Sequence, residues 1–270
     1  MEKAVVTGAL QIAGFHLCMR LLDEGMAVVG IDRMERCDKI KEEMLLSVGR
    51  NANFQHAESL KDEHLRDAHL LFHLDEDPLS ETEFKRRIAL CDEFQIPIVY
   101  LSSLDVYGNS STCCTEGSKL EPATPLGKRK KQEELALRSN LEEKNRRILI
   151  FRTPRIYGPW QPANDDMQRI FQLANNQAAL KGDEQLMNRD FVNQYMFVED
   201  VVDAIMLAGE REFHCEIYNL SSDEQKFSSK KARERLSFRP KHTFDEGIEK
   251  LKQHILKASS VNRSLFENEK

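Results

Sequence analysis

Short apolar runs alternate with longer amphipathic stretches through the first half of the chain, and that alternation most restricts the fold. Residues 4–7, 27–31, 70–74, 96–101 and 147–152 read as strands, several of them rich in β-branched side chains. Between them, 15–24, 34–48, 80–94 and 128–140 read as helices, the second charged enough to lie on the surface. Strand–helix–strand repetition with continuous apolar strands calls for a parallel sheet covered by helices on both faces. Right-handed crossovers then make it a doubly wound α/β sheet. Beyond residue 155 the alternation breaks. Gly158-Pro159-Trp160-Gln161-Pro162 is a turn, and helices are expected over 165–176 and 198–209 and twice within 228–256. The expected organisation is a sheet domain over 1–157 and a smaller, interleaved lobe over 158–270, part of which returns to the first domain. A cleft between them is expected.

Charge and cysteine usage exclude several function classes. Thirty-nine Lys and Arg against 45 Asp and Glu leave a net charge of −6, so no basic footprint for nucleic acid exists. The run Lys128-Arg129-Lys130-Lys131, followed by Glu133 and Glu134, reads as a solvated helix face with one inward lysine. Six cysteines contain no C-x-x-C pair, and the adjacent Cys113 and Cys114 suit neither a relaxed disulfide nor a two-ligand clamp, so no metal is expected. No apolar run approaches the ~20 residues of a membrane helix. With a strand from residue 4 and no leader pattern, a cytoplasmic location is expected.

Thr7-Gly8-Ala9-Leu10-Gln11-Ile12-Ala13-Gly14 joins the first strand to the first helix. In a dinucleotide-binding turn, glycines permit the bend, the approach of the pyrophosphate and the close packing of helix on strand. The helix N-terminus faces the phosphates. Here the first and last glycines of T-G-x-x-G-x-x-G are in register and Gln11 takes the middle one. Asp32 ends the second strand about 20 residues on, where an acid binds the ribose hydroxyls of NAD. Arg33 beside it could accept the extra phosphate of NADP. A turn of this type kept for packing alone is the alternative reading.

Further motifs follow in order. They are His73-Leu74, Ser102-Ser103-Leu104-Asp105-Val106-Tyr107-Gly108, Pro125-Leu126-Gly127-Lys128-Arg129-Lys130 and Arg152-Thr153-Pro154-Arg155-Ile156-Tyr157-Gly158-Pro159. Later come Phe197-Val198-Glu199-Asp200-Val201 and Ile217-Tyr218-Asn219-Leu220, with Lys231-Ala232-Arg233 and Phe244-Asp245-Glu246-Gly247-Ile248 near the end. Over nearly its whole length the chain resembles the NAD-dependent epimerase/dehydratases, or extended short-chain dehydrogenase/reductases. The resemblance implies a Rossmann-type doubly wound sheet with a small C-terminal substrate lobe. It also implies NAD as cofactor, a nucleotide-diphosphate sugar as substrate, and a homodimer through helices of the 80–94 and 128–140 type. Cofactor contacts would fall on Thr7, Gly8, Leu10, Gln11, Ile12, Gly14, Asp32, Arg33, Leu74 and Lys130. Substrate contacts would fall on Ser103, Tyr157 and Arg189, the last standing in for an arginine that Asn193 replaces in register.

In this family a tyrosine exchanges a proton with a sugar hydroxyl, and a lysine four residues later lowers its pKa. Ser103 maps onto the hydroxyl that orients the sugar oxygen and Lys130 onto the lysine, but the tyrosine position holds Leu126. The five tyrosines are followed four residues later by Leu104, Ser111, Gln161, Glu199 and Ser222, so no Tyr-x-x-x-Lys exists. A phenol ordinarily titrates near pH 10 and needs that neighbouring cation. Losing one positioned acid/base removes about 10²–10⁴ in rate. Asp105 is the candidate to move protons instead, with Cys113, Cys114 and His73 as weaker ones. Asp75 and Glu76 replace small residues near the cofactor and would repel a pyrophosphate if they faced it. Two readings stay open: an epimerase/dehydratase-like protein with an impaired or altered site, and a non-catalytic relative that binds a nucleotide, a nucleotide sugar or a partner protein.

Overall fold

Every strand at the centre of the sheet is buried on both faces, which is why it reads as an unbroken apolar run. The computed structural model describes residues 2–34, 38–139, 146–161, 192–209 and 211–267, with side chains through 257. The helix expected over 165–176 lies outside the described residues. Along the chain come β1 (Lys3–Thr7), α1 (Ile12–Asp23), β2 (Ala27–Ile31), α2 (Lys39–Val48), β3 (Phe54–Ala57), the short α3 (Asp62–Leu65), β4 (Leu70–His73), α4 (Glu81–Glu93) and β5 (Ile98–Ser103). A 3-10 turn (Leu104–Tyr107), α5 (Pro125–Arg138), β6 (Ile148–Thr153), β7 (Arg155–Tyr157), β8 (Tyr195–Phe197), α6 (Val198–Gly209), β9 (Cys215–Asn219), α7 (Lys230–Leu236) and α8 (Phe244–Glu267) follow.

Seven strands form one parallel sheet in the order β3-β2-β1-β4-β5-β6-β9, and β7 pairs with β8 in a separate parallel ribbon. Alternate residues feed two cores. Val6, Val99 and Leu101 pack with Phe15 and Leu17 of α1 and Val201 and Ile205 of α6 on one face. Val5, Ile98 and Tyr100 pack with Phe84 and Ile88 of α4 and Leu137 of α5 on the other. This is the doubly wound α/β sheet that the alternation predicts. The three-residue strands β7 and β8 of the separate ribbon escape the apolar-run criterion, and within the main sheet β3 and β9 escape it as well, both of them edges. Their partly exposed residues, Gln55, His56 and Glu216 among them, give no continuous apolar signal. β9 brings the chain back to the main sheet beside β6.

Helix starts follow side-chain chemistry. Asp38 accepts from Lys41 N, which starts α2 at residue 39 rather than 34. Ser80 caps α4, and Thr124 caps α5 with Pro125 in its first turn. Gln11, by contrast, makes no side-chain cap at the start of α1.

Candidate functional site

The strand order reverses between β1 and β4, so the loops after these two strands diverge and leave a crevice at the C-terminal edge of the sheet. The glycine turn forms one wall. Gly8 has φ +70°, and a Cβ there would stand 3.0 Å from the backbone of Leu74 and Asp75. At Gly14 a Cβ would stand 2.0 Å from the Gly8 carbonyl oxygen, so these two positions need glycine for the helix to seat on the strand. Leu10 N donates to Asp32 Oδ2 at 2.9 Å, tying the turn to the end of β2. Asp32 Oδ1 accepts from Lys41 Nζ at 2.9 Å. Burial pushes the Asp32 carboxyl up, against the opposing pull of Lys41 and the Leu10 N–H. Arg33 is exposed, and its carbonyl accepts from Lys41. Leu10, Gln11, Ile12, Asp38, Ile40, Lys41, Glu76 and Asp77 enclose a hollow of about 230 Å³ here.

The loop after β4 forms the other wall. The Asp75 carboxylate turns beneath the loop. Its Oδ2 lies 2.7 Å from His73 Nδ1 and 2.9 Å from Arg87 Nη1 of α4, and it accepts from Thr7 Oγ1. Burial alone would raise the Asp75 carboxyl, but the charge and hydrogen bond of His73, then Arg87 and Thr7, hold it well below the usual carboxylate range. The expected repulsion of a pyrophosphate by Asp75 is therefore corrected: this carboxylate spends its charge beneath the loop. Glu76 remains exposed at the crevice. Thr7 and Leu74 are buried. His73 holds the strand end together rather than reaching the cleft, and its Nε2 is buried without a hydrogen bond.

Beside this crevice opens a cavity of about 390 Å³ lined by Asp75, Glu76, Leu101, Ser102, Ser103, Leu126, Lys130, Thr153, Pro154, Arg155, Ile156, Gln161 and Tyr195. Ser103 Oγ accepts from Asp105 N at 3.1 Å, which leaves the hydroxyl hydrogen to donate into the cavity. Lys130 is 6% exposed and donates to the carbonyls of Leu101 (2.9 Å) and Asp75 (3.2 Å). Burial pulls its ammonium down, partly offset by Glu133. Leu126 sits one helical turn before Lys130 on α5 and is 39% exposed, with its side chain at the cavity wall. The tyrosine that does approach Lys130 is Tyr100, whose ring centroid lies 4.8 Å from Nζ. It is buried under the lysine and donates to Glu133. Burial and Glu133 push its hydroxyl well above the ordinary value, which makes it unfit as a base.

Other candidates are drawn elsewhere. Asp105 accepts from Thr124 Oγ1 and lines a second hollow with Asn109, Asn193 and Lys226, separated from the first by Pro154 and Arg155. It therefore does not share the cavity of Ser103 and Lys130. Tyr157 is sealed in an aromatic cluster with Tyr195, Phe197 and Phe244, and its hydroxyl donates to the Phe244 carbonyl. The substrate contact expected of Tyr157 is corrected to a packing role, because the ribbon of β7 and β8 turns this side chain toward α8. Trp160 packs on Phe15 and His254. Cys113 is exposed near the Glu224 carbonyl, and Cys114 is buried against Phe227. Arg189 lies outside the described residues.

Several motif residues turn out to form one buried network. Arg152 and Glu134 are each 1% exposed and pair through two hydrogen bonds, Nε to Oε1 at 3.0 Å and Nη2 to Oε2 at 2.6 Å. Ser102 Oγ donates to Glu134, Arg152 Nη1 donates to Tyr107 Oη, and Tyr107 Oη donates to Asn219 Oδ1. The Ser-Ser, Tyr-Gly, Arg-Thr and Tyr-Asn motifs thus tie β5, β6, β9 and α5 together behind the cavity. The solvated face expected over 128–134 is corrected at Glu134, which is buried against Arg152. Sequence reading missed Lys41 and Arg87, because a charge on a charged helix gives no sign of a partner far along the chain.

Residues 84–221 match the model of the NAD dependent epimerase/dehydratase family. The glycine turn precedes the matched span. Among solved structures, the chain is similar to the UDP-glucuronic acid 4-epimerase of Bacillus cereus in complex with NAD (21% identity, TM-score 0.78, covering 95% of this chain and 99% of that one). It is similar to the UDP-glucose 4-epimerase of Thermotoga maritima with UDP-glucose (18%, 0.72, 95% and 99%). It is also similar to the dTDP-glucose 4,6-dehydratase of Bacillus anthracis in complex with NAD (16%, 0.76, 95% and 97%). At these identities the likeness shows a shared fold. No curated protein sequence matches. Among the described residues, no helix is long and apolar enough to cross a membrane.

Proposed function

The chain belongs to the NAD dependent epimerase/dehydratase family, and from there we propose that it binds NAD at the glycine turn and a nucleotide-diphosphate sugar in the cavity of Ser103 and Lys130, with the family's tyrosine-driven turnover impaired or altered. One observation carries the reading. Leu126 occupies the helical position before Lys130, and it faces the same cavity as Ser103 and Lys130. An aliphatic side chain cannot give or take a proton. Neither Asp105, facing another hollow, nor Tyr100, buried and raised, stands in for it.

The groups present suit NAD once the Gln11 side chain leaves the crevice. The start of α1 carries no side-chain cap and no acid in its first turn, so its N–H groups and positive dipole end suit a phosphate. Asp32 would take the ribose hydroxyls, with Leu10, Gln11, Ile12 and Gly14 along the turn and Lys130 at the nicotinamide side. The acids lining the hollow, Asp38, Glu76 and Asp77, with Asp32 beside it, favour NAD over the extra phosphate of NADP, against the cations Lys41 and Arg33. Bound NAD supplies a hydride acceptor. In the chain itself, Ser103 orients a sugar hydroxyl by donating to it. Lys130, anchored on two carbonyls, presents its remaining proton and its charge to the cavity.

Calorimetric titration with NAD tests the binding half. Assays of uridine- and thymidine-diphosphate sugars with NAD test the chemistry, on the native chain and on Leu126→Tyr. Turnover that appears or rises about 10²–10⁴-fold in the variant is the expected result. Robust turnover by the native chain refutes the impairment. A second reading, a non-catalytic relative that takes a nucleotide sugar or a partner protein, is favoured by the side chain of Gln11 across the crevice. Absence of NAD binding at millimolar concentration would select it.

A further inference from the structure

The crevice at the strand-order reversal is spanned by the chain's own side chains. Gln11, on the glycine turn, donates from Nε2 to Asp77 Oδ2 at 2.9 Å and accepts at Oε1 from Glu76 N at 2.5 Å. Asp77 Oδ2 also lies 4.0 Å from Lys41 Nζ, and Lys41 holds Asp32 Oδ1 at 2.9 Å. These contacts run from the loop after β4, across the glycine turn, to the end of β2 and the start of α2. They join the walls of the very hollow that Gln11, Lys41, Glu76 and Asp77 line. The loop is anchored from the far side as well, since Arg129 Nη2 donates to the Glu76 carbonyl at 2.8 Å and Lys130 Nζ to that of Asp75. Nothing in the packing of Gln11 or Asp77 requires this arrangement. The Asp77 side chain is 74% exposed, and a glutamine at the middle position of the turn adds a side chain where close backbone approach calls for none.

We infer that Gln11, Asp77 and Lys41 form a latch across the dinucleotide crevice, and that dinucleotide binding proceeds by opening it. The inference rests on the reading that NAD binds at the glycine turn. Asp77 is the keystone, because it accepts from Gln11 and sits against Lys41 at once. Opening the latch clears the turn and exposes its phosphate-facing N–H groups, while Asp32 keeps its separate 2.9 Å bond from Lys41. A latch held by two solvent-exposed hydrogen bonds of Gln11 and one 4.0 Å ion pair of Asp77 opens readily, and removing it tightens dinucleotide binding rather than weakening it.

The test compares the native chain with Asp77→Ala and Gln11→Ala in two measurements. Amide hydrogen exchange on the unliganded protein reads the latch without any cofactor. Exchange at the Glu76 amide is expected to rise about tenfold in both variants, with the strands unchanged. Calorimetry with NAD is expected to show both variants binding about fivefold to tenfold more tightly. Unchanged exchange at Glu76 overturns the latch whatever NAD does. Equal or weaker NAD binding by the variants overturns it as the determinant of affinity and leaves the cofactor reading standing. Binding absent from all three proteins overturns the cofactor reading and the latch's role together.

Discussion

Glu134→Gln changes the buried network behind the cavity by one oxygen-for-nitrogen exchange and almost no volume. In the native chain Glu134 accepts from Arg152 Nε, Arg152 Nη2 and Ser102 Oγ, and both partners of the ion pair are 1% exposed. Burial works against the Arg152 guanidinium, and the hydrogen bonds and charge of Glu134 are what keep it favourably charged. The variant keeps one amide oxygen to accept but turns an N–H toward the other guanidinium nitrogen and leaves the buried cation without its counter-charge, beside the Tyr107 hydroxyl and the Glu116 carbonyl. Removing one partner of a buried pair costs about 3–5 kcal/mol. At about 2–4 °C per kcal/mol the melting temperature falls by roughly 6–20 °C. Urea titration and thermal melting measure both, provided the denaturant slope is unchanged. The double variant Glu134→Leu/Arg152→Met should recover at least half of the loss, since a packed apolar pair needs no charge compensation. A single variant within about 1 kcal/mol of the native chain, or a double variant worse than the single, would refute this reasoning.

Asp75→Asn is expected to flatten the acid limb of the stability curve. The folded carboxyl lies below its unfolded value, so its contribution is present above the unfolded pKa and is lost as pH falls through the folded one. Native and variant chains should converge in stability as the pH drops below about 4, and a constant gap down to pH 2 would sink the idea. Gly14→Ala places a methyl 2.0 Å from the Gly8 carbonyl oxygen and should destabilise by about 1–3 kcal/mol while weakening any ligand at the turn. A silent Gly14→Ala in chemical denaturation would mean that α1 can shift on β1.

The sheet, its flanking helices and the lack of any Tyr-x-x-x-Lys are legible in the sequence alone, because each is local. A strand buried on both faces must be apolar along its length, as Val5, Val6, Val28 and Val29 are. Residues four apart share one helix face by geometry, so the placing of Leu126 beside Lys130 is legible before any tertiary contact is known. Edge strands such as β9 carry half the apolar signal and pass unseen. The orientation of polar side chains is decided by tertiary structure, since their partners lie far along the chain. Asp75 faces His73 and Arg87 rather than a cofactor, Gln11 reaches Asp77, and Glu134 meets Arg152. A carboxylate reads the same in sequence whether its charge is spent on an arginine beneath a loop or offered to a ligand. Only the burial and the neighbours that folding assembles around it separate the two.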